Sequence, residues 1–460
     1  MQYQRKISKV TTDLKLPKIL APAGDKQSFL AALAAGADAV YCGLKIFSAR
    51  MEAANFSMEE LARLTRLARN HDTDVYLAFN SLIKEAEIDR VFSILCKLAR
   101  FAEIKGLIIQ DPALISMASQ AGLETDFHLS TLGNCTAPSG FEAAKKIGFN
   151  TIVLPREFNL DEIKTAALNR PGDMDLELFI HGALCYSISG RCYWSSWFGG
   201  KSSLRGRCVQ PCRRLYDQKN QKARFFSCTD FSADVLVKVL KEIPGITTWK
   251  IEGRKKSPHY VYYAVKAYRM LRDTPKLKNQ ALSFLDYAMG RQFSHYNLLS
   301  HRRINPLEHG SETGSGLFAG RIKNPDQPYF VTREALMPSD LLRIGHEDDA
   351  FHTIQKVSRA VPKNGKFYLA RSGRKKIRKG TPVYLIDRRD SLLAEDLKNL
   401  ELELERIPRI NVQPVKQTFV RNRGTQRPHA GRERRSKRGG TARKQQDQPF
   451  TMDVYRQSRN

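Results

Sequence analysis

Four cysteines lie close together in this chain, and thiols so grouped can bind a metal centre. Six, fifteen and three residues separate Cys185, Cys192, Cys208 and Cys212. Zinc ribbons and fingers prefer pairs two to four residues apart, and only the second pair fits that spacing. A cubane iron–sulfur cluster tolerates irregular spacing, so the pattern favours a [4Fe-4S] cluster over structural zinc. Reduced cysteines without a metal are the third interpretation.

The neighbours of these cysteines refine the prediction. Cys228 is the alternative fourth ligand, but Pro211 and a short loop keep Cys212 near Cys208. Cations lower the pKa of nearby thiols and offset the charge of a Cys-ligated cluster. Five arginines could do so here: Arg191, Arg205, Arg207, Arg213 and Arg214. The other cysteines, Cys42, Cys96 and Cys135, lie in strand or helix patterns and are expected in the core.

The cysteine segment interrupts a regular alternation of strands and helices. Eight strand patterns occur between Lys18 and Leu271, and a helical pattern follows each one except where the cysteines intrude after the seventh. This alternation indicates right-handed β-α-β units and a parallel sheet. Eight units over about 250 residues match a closed (β/α)8 barrel of the TIM type better than an open sheet. One helix is expected to start at Ser57, a candidate N-cap with Glu60 three residues later.

Polar residues follow the carboxyl ends of the predicted strands, where barrel enzymes carry their active sites. The set comprises Asn80, Asp111, His128, Arg156, Glu157, His181, Glu252 and Arg254. Strand ends are hydrated and collect polar residues in any case, so no single member is decisive. We predict that Glu157, His181 and Glu252 are the catalytic groups of this set.

Composition divides the chain into four segments. Residues 1–17 form an N-terminal extension, and residues 18–312 hold the barrel with the cysteine-rich segment at 177–216. Short strand patterns punctuated by Gly, Pro and Asn predict a small β-barrel over 313–392, a kind of module that often contacts nucleic acid. Residues 393–460 begin as an acidic, helix-like linker and end in a basic tail with too few apolar residues to fold, which we expect to be disordered.

The charge of the chain favours a polyanionic partner. It carries 76 Lys and Arg against 47 Asp and Glu, a net charge of +29. Residues 416–460 contribute thirteen of the cations and only three acids, so the body is basic as well as the tail. Because phosphate contacts release counterions, this distribution favours nucleic acid over a merely solubilising tail. The predicted β-barrel adds a basic edge at Arg371, Arg374, Lys375, Lys376, Arg378 and Lys379.

The sequence also predicts a compartment. With 42% hydrophobic residues the chain can form an ordinary globular core. No stretch approaches the run of about 18 apolar residues that crosses a membrane, and the first residues lack the apolar core of a signal peptide. Eight cysteines without an export signal argue against a disulfide framework. We therefore expect a cytoplasmic protein with no membrane attachment.

At the cysteine segment the sequence resembles the collagenase-like peptidase family U-thirty-two. The family hallmark is Glu-x-Phe-x-x-Gly-Ala followed by two spaced cysteines and a serine, and it is matched by Glu177, Phe179, Gly182, Ala183, Cys185, Gly190, Cys192 and Ser195. The segments LAPAG, VLPRE, RGRCVQPCR and WKIEGRKKSP are also similar, so the likeness covers about Lys18 to Leu271. Trp194 departs from the aliphatic residue usual at its position.

The resemblance implies an RNA-modifying enzyme with a bound iron–sulfur cluster and a requirement for prephenate. Such relatives hydroxylate either the wobble uridine of tRNA or a cytidine of 23S rRNA. Chain length favours tRNA, whereas the GGKSSLRGRCVQPCRRLY stretch is more similar to the rRNA type. A dicarboxylate such as prephenate needs paired cations, and Arg156, Arg254 and Lys255 are substrate-binding candidates by position. Cluster-assembly and electron-donor proteins would be further partners.

Two other functions stay open. The family name suggests a collagenase-like protease, although the chain has no Ser–His–Asp order and no His-Glu-x-x-His zinc site. A non-catalytic RNA-binding protein with structural zinc would also explain the charge and the cysteines. Hydroxylation fits best because it needs a redox group that cysteines can hold and aromatic side chains that can receive an unstacked base. Tyr186, Tyr193, Trp194, Trp197 and Phe198 are candidates for that role, although each could equally be a core residue.

Overall fold

The fold was analysed in a computed structural model. It describes residues 15–51, 53–299, 305–307, 316–346, 352–370, 377–388, 391–413 and 419–420. The predicted extension at 1–17 and the basic tail therefore lie almost entirely outside the described residues, as does most of the predicted basic edge at 371–379. In the part of the chain that is described, no helix is long and apolar enough to cross a membrane.

Eight parallel strands close into a barrel, as the sequence predicts. They are β1 (Lys18–Pro22), β2 (Ala39–Cys42), β3 (Asp74–Phe79), β4 (Gly106–Ile109), β5 (Asp126–Leu129), β6 (Thr151–Val153), β7 (Asp175–Ala183) and β11 (Ile246–Ile251). Neighbouring strands in this order pair in parallel, and β11 pairs with both β7 and β1 to close the ring. The (β/α)8 prediction is confirmed.

Helices join the strands on the outside of the barrel. They are α1 (Lys26–Ala34), α2 (Met58–Asn70), α3 (Ile88–Phe101), α4 (Ala113–Gln120), α5 (Ser139–Ile147), α6 (Leu160–Leu168), α8 (Val237–Leu240), α9 (Pro258–Asp273) and α10 (Lys278–Tyr287). The predicted capping box of α2 is present, since the Ser57 hydroxyl accepts from the Glu60 amide at 3.1 Å and the Glu60 carboxylate accepts from the Ser57 amide at 2.8 Å. The helix α8 follows a 3-10 turn at Asp234–Leu236 and ends at Leu240, four residues before Pro244.

The cysteine segment follows β7 and is built of short elements. It contains α7 (Trp194–Trp197), two single 3-10 turns at Ser203–Arg205 and Pro211–Arg213, and a hairpin of β8 (Tyr216–Gln218) and β9 (Gln221–Ala223). The chain then returns to the barrel as β10 (Asp230–Ser232), which pairs antiparallel with the end of β7. A later strand, β12 (Phe293–Ser294), pairs with β10. The segment is therefore anchored at both ends on the carboxyl edge of the barrel.

Beyond the barrel, the described residues form six further strands, which pair antiparallel. They are β13 (Leu317–Arg321), β14 (Tyr329–Val331), β15 (Leu341–Ile344), β16 (Thr353–Lys356), β17 (Lys366–Tyr368) and β18 (Pro382–Asp387). Four pair in the order β13-β18-β15-β16, and β14 pairs with β17. A separate apolar cluster that includes Phe330, Leu342 and Val383 fills this region. Closure of these strands into a small β-barrel stays a prediction.

A further helix, α11 (Ser391–Arg406), covers the described start of the segment that we interpreted as an acidic linker. Its leucines at positions 393, 397, 400 and 404 are buried in the same core as the barrel helices. The Arg63 guanidinium of α2 donates to the carbonyl of Ile407, and His71 approaches Glu403 at 2.9 Å. The segment is thus a docked helix, and its acids Glu401 and Glu403 pair with Lys26 and His71 of the barrel.

Candidate functional site

A cavity of about 160 Å³ opens at the carboxyl ends of the barrel strands. The barrel contributes one set of lining residues, among them Tyr41, Arg50, Asn80, Ser130, Arg156, Phe179, Lys250, Glu252 and Arg254. The cysteine segment contributes the opposite wall, with Cys185, Tyr186, Ile188, Cys192, Trp194, Cys208 and Cys212. The cavity therefore lies between the barrel mouth and the cysteine segment, at the edge where barrel enzymes act.

The four cysteines predicted as metal ligands all line this cavity. Cys185 is exposed and the other three are half-buried, whereas Cys228 is 4% exposed and does not line it. Among the described residues, no three Cys, His, Asp or Glu side chains already stand in a metal-binding arrangement. The donor set fits a sulfur-ligated centre, since four thiols line one cavity.

Hydrogen bonds join the two halves of the cysteine segment. The Ser195 hydroxyl, fully buried, accepts from the amide of Val209 at 3.2 Å and lies 3.9 Å from the Cys208 sulfur. The Ser203 hydroxyl donates to the carbonyl of Cys192 at 2.5 Å. These contacts tie the first half of the segment to the second, so the sequence-distant pairs of cysteines face one space.

The arginine beside Cys212 does not lower the pKa of its thiol below the ordinary range. Burial raises the pKa of Cys212 to about 12, and the Arg213 charge opposes that shift only in part. The Arg213 guanidinium is itself buried and donates to the carbonyls of Leu184 and Cys228. For Cys212, the neighbouring cation lowers the thiol pKa as expected, but burial outweighs it.

Glu252 stands at the centre of a charged group on the barrel side of the cavity. Its carboxylate lies 3.2 Å from the Arg50 guanidinium and 3.1 Å from that of Arg156, and it accepts from the Tyr41 hydroxyl at 3.4 Å. Burial alone would raise the pKa of Glu252, but Arg50 and then Arg156 hold it at about 2. The Glu252 carboxylate is therefore ionised at neutral pH and organises two arginines.

Two arginines of the cavity, Arg156 and Arg254, each have a buried Nε atom without a hydrogen-bond partner. Arg156 also lies over the Phe179 ring, 4.1 Å from its centroid. Arg254, 4% exposed, donates to the Ser48 hydroxyl at 2.7 Å and to the Asn55 side chain. Both guanidinium groups are thus fixed in orientation while retaining donors for an anion.

A buried ion pair forms the floor of the cavity. The Lys250 ammonium donates to the Glu177 carboxylate at 2.5 Å and lies 4.3 Å from the centroid of Tyr41. The other Glu177 oxygen lies 2.9 Å from His128 Nδ1. Burial raises the pKa of Glu177, but Lys250 and His128 together hold it at about 2. Glu177, a residue of the family hallmark, therefore neutralises Lys250 below the cavity.

Three predicted site residues do not line the cavity. His181 is 4% exposed and packs against Tyr260 and Tyr268, and burial lowers its pKa to about 4. Glu157 accepts from the amide and the hydroxyl of Ser189, both at 2.9 Å, and so anchors the cysteine segment. Lys255 is exposed beside a smaller depression that Cys208 also lines. The catalytic roles of Glu157 and His181 and the substrate role of Lys255 stay predictions.

Two charged residues of the cavity were not predicted from the sequence. Arg50 lies in the loop after β2, away from the strand end, and nothing in the surrounding sequence identifies it as a site residue. Lys250 lies within β11, two residues before Glu252, a spacing that places two side chains on the same face of a strand. A charged residue at that spacing in an apolar strand could therefore have been recognised from the sequence as part of the site. With these two, four cations and the single carboxylate of Glu252 stand among the described lining residues, and because Glu177 neutralises Lys250, three arginines remain against that carboxylate. The cavity is therefore suited to a small organic anion.

A glycine of the family hallmark brings β7 next to Glu252. Gly182 has φ of +108°, a conformation that L-residues rarely adopt. A β-carbon at Gly182 would also clash with the carbonyl oxygen of Glu252. The close approach of β7 to β11 at the cavity edge thus requires glycine.

The molecule is thus a (β/α)8 barrel with a cysteine-lined cavity at its mouth. Residues 24–306 match the model of Peptidase family U32, and the chain belongs to that family. It is 35% identical over 266 residues to an uncharacterized protease of Methanocaldococcus jannaschii, which covers 55% of this chain and 64% of that protein.

Several relatives carry names that refer to RNA, among them one named for tRNA and one named for 23S rRNA. The chain is 32% identical over 271 residues to tRNA hydroxylation protein P1 of Bacillus subtilis, covering 56% of this chain and 64% of that protein. It is also 32% identical over 263 residues to a 23S rRNA 5-hydroxycytidine synthase of Escherichia coli, covering 56% of this chain and 39% of that protein. The match thus spans less than two thirds of the length of each of these relatives.

Proposed function

We propose that this protein is an iron–sulfur enzyme that hydroxylates a base in RNA and requires prephenate, with a tRNA uridine favoured over a 23S rRNA cytidine. One observation carries the proposal: four cysteines and a group of oriented arginines line the same cavity at the barrel mouth. A redox centre and an organic anion could therefore meet there. The names of the two RNA-modifying relatives support the choice of reaction.

In this proposal Cys185, Cys192, Cys208 and Cys212 hold a [4Fe-4S] cluster. The cluster would supply the electron-transfer chemistry that no amino-acid side chain provides. Cys212 is preferred over Cys228 because it lines the cavity and Cys228 does not. Cluster-assembly and electron-donor proteins would be the partners of this centre.

Arg156 and Arg254 are the proposed partners of the prephenate carboxylates. Arg156 is positioned by Glu252 and Phe179, and Arg254 by Ser48 and Asn55, so little side-chain entropy is lost on binding. Arg50 joins them through Glu252. With a pKa of about 2, Glu252 is a weak base, and its proposed role is to orient the two arginines that flank it.

The residues that line the cavity do not favour a protease mechanism. Serines and cysteines line it, but no histidine does among the described lining residues. A serine or cysteine nucleophile normally needs an adjacent general base. His181, which lies on the neighbouring strand β7, is buried and neutral because burial depresses its pKa to about 4.

The experiment is deletion of the gene in its host, followed by nucleoside mass spectrometry of separated tRNA and rRNA. We expect loss of a 5-hydroxyuridine derivative from tRNA, restored by the wild-type gene. A Cys185→Ser gene should not restore it, whereas Cys96→Ser should, because Cys96 is a buried core residue on α3. Loss of a hydroxycytidine from rRNA would change the substrate within the same chemistry, and no change in either fraction would refute RNA hydroxylation.

A further inference from the structure

Four aromatic side chains of the cysteine segment are exposed to solvent. Tyr186, Tyr193, Trp197 and Phe198 are 46%, 62%, 84% and 47% exposed, and we call this set the aromatic patch. Trp197 is nearly as accessible as a side chain can be, so core packing does not explain it. Large exposed apolar surfaces of this kind mark binding sites.

The charge around the aromatic patch is of one sign. Between residues 178 and 216 the sequence contains six Lys and Arg and no Asp or Glu. Arg191, Lys201, Arg207 and Arg214 are exposed among the aromatic residues. The Arg214 guanidinium lies 5.9 Å from the centroid of Phe198. A ligand for this surface must therefore be anionic as well as flat and apolar.

The aromatic patch is continuous with the cavity. Tyr186 and Trp194 both line the cavity, and their ring centroids are 6.1 Å apart. Trp194 in turn lies 6.1 Å from Phe198, which belongs to the exposed patch. A chain of rings thus leads from the cysteine wall of the cavity to the outer surface.

We propose that the aromatic patch stacks the unpaired bases that flank the target base in single-stranded RNA, an inference that rests on the proposed function. Each base presents a π-face, so exposed rings can hold it without reading its sequence. The arginines and Lys201 supply the charge that the intervening phosphates require. Bases held on Trp197 and Phe198 would place the neighbouring nucleotide at the mouth of the cavity, where Trp194 can receive it.

The test compares two ligands with the same number of phosphates. The full-length protein is titrated with a single-stranded RNA of about 12 nucleotides and with an abasic oligomer of equal length, by fluorescence anisotropy at several salt concentrations. For Tyr193→Ala combined with Trp197→Ala we expect affinity for the base-bearing RNA to fall about tenfold or more, since each stacked base contributes strongly to such complexes. Affinity for the abasic oligomer and both salt slopes should stay within about twofold of wild type, because no cation is removed.

Two controls make the result specific. Trp197→Phe keeps a ring and should retain most of the affinity, and Leu402→Ala removes an exposed apolar side chain of the acidic helix α11 and should have no effect. Equal losses of affinity for both oligomers, or no loss for either, would overturn the inference. A protein would then be the favoured partner of the aromatic patch. The proposed function fails separately: ring-dependent RNA binding without any hydroxylated nucleoside would refute the reaction and preserve this binding surface.

Discussion

The Arg156 guanidinium lies 3.1 Å from the Glu252 carboxylate, and both side chains line the cavity that the four cysteines face. The pair joins strand ends that are 96 residues apart in sequence. Because Glu252 also contacts Arg50, one half-buried carboxylate sets the direction of two guanidinium groups. An anion bound beside them would therefore meet donors that are already oriented.

Replacing Arg156 by Met should weaken the binding of prephenate. A hydrogen bond to a charged group contributes about 1.5–3 kcal/mol, so the Kd should rise by about tenfold or more. Isothermal titration calorimetry of the purified protein would measure it. Lys145→Met is the matched control, since Lys145 pairs with Asp173 at the surface and does not line the cavity. An unchanged Kd in Arg156→Met would show that the anion binds elsewhere.

Removing the buried ammonium of Lys250 should destabilise the barrel. In Lys250→Met the fully buried Glu177 carboxylate keeps only His128, and an unpaired buried charge costs about 3–5 kcal/mol. The double variant Lys250→Met with Glu177→Gln should recover much of that loss. Urea denaturation would measure the free energy of unfolding.

The control for Lys250 is an exposed pair of the same kind. Lys18 and Asp74 lie 2.6 Å apart with side chains 49% and 31% exposed. Lys18→Met should therefore change the free energy of unfolding by less than about 1 kcal/mol. Equal effects at Lys18 and Lys250 would contradict a special role for the buried pair.

The buried His181 should make the protein less stable as the pH falls. Burial lowers its pKa from an ordinary 6.5 to about 4, so the unfolded chain binds more protons between these values. Stability is therefore complete above pH 6.5 and is lost as the pH falls toward 4, by about 2 kcal/mol between pH 7 and pH 5. His181→Asn should flatten this dependence in urea denaturation at the two pH values. The same slope in wild type and variant would mean that another group titrates.

Shortening the chain after Val420 should weaken RNA binding without unfolding the protein. The removed residues carry twelve Lys and Arg against three acids, so the affinity should fall and its salt dependence flatten. Phe419 is retained because its ring lies 5.6 Å from that of Phe92 on the barrel helix α3. The melting temperature should stay the same. An unchanged salt slope would mean that the body of the chain alone contacts the RNA.

The regular parts of the fold were predictable because local patterns agree with the tertiary structure. Strand and helix periodicity gave the eight barrel strands, and Ser57 and Glu60 marked the start of α2. The four cysteines were found by spacing, and the fold brings them to one cavity. The leucines of α11 recur at helical spacing, and this signal would have indicated its docking, whereas its acidic composition suggested a linker.

Other site features depended on geometry that local patterns do not contain. The pairing of β7 with β11 shifts by one residue at Ile180, since Lys250 faces Phe179 and Ile251 faces His181. Such a bulge reverses the side-chain alternation, so His181 turns into the core, away from the cavity that Phe179 lines. Arg50 reaches Glu252 through a loop, and no periodicity describes a loop.

The most direct test of the central claim is metal analysis of the full-length protein purified without oxygen. We predict about four irons per chain and a broad absorption near about 400 nm, as expected for a cubane cluster with four cysteine ligands. Cys185→Ser and Cys212→Ser should lose the iron and the colour, whereas Cys96→Ser and Cys228→Ser, which change cysteines outside the cavity, should keep both. Stoichiometric zinc without iron would contradict the account.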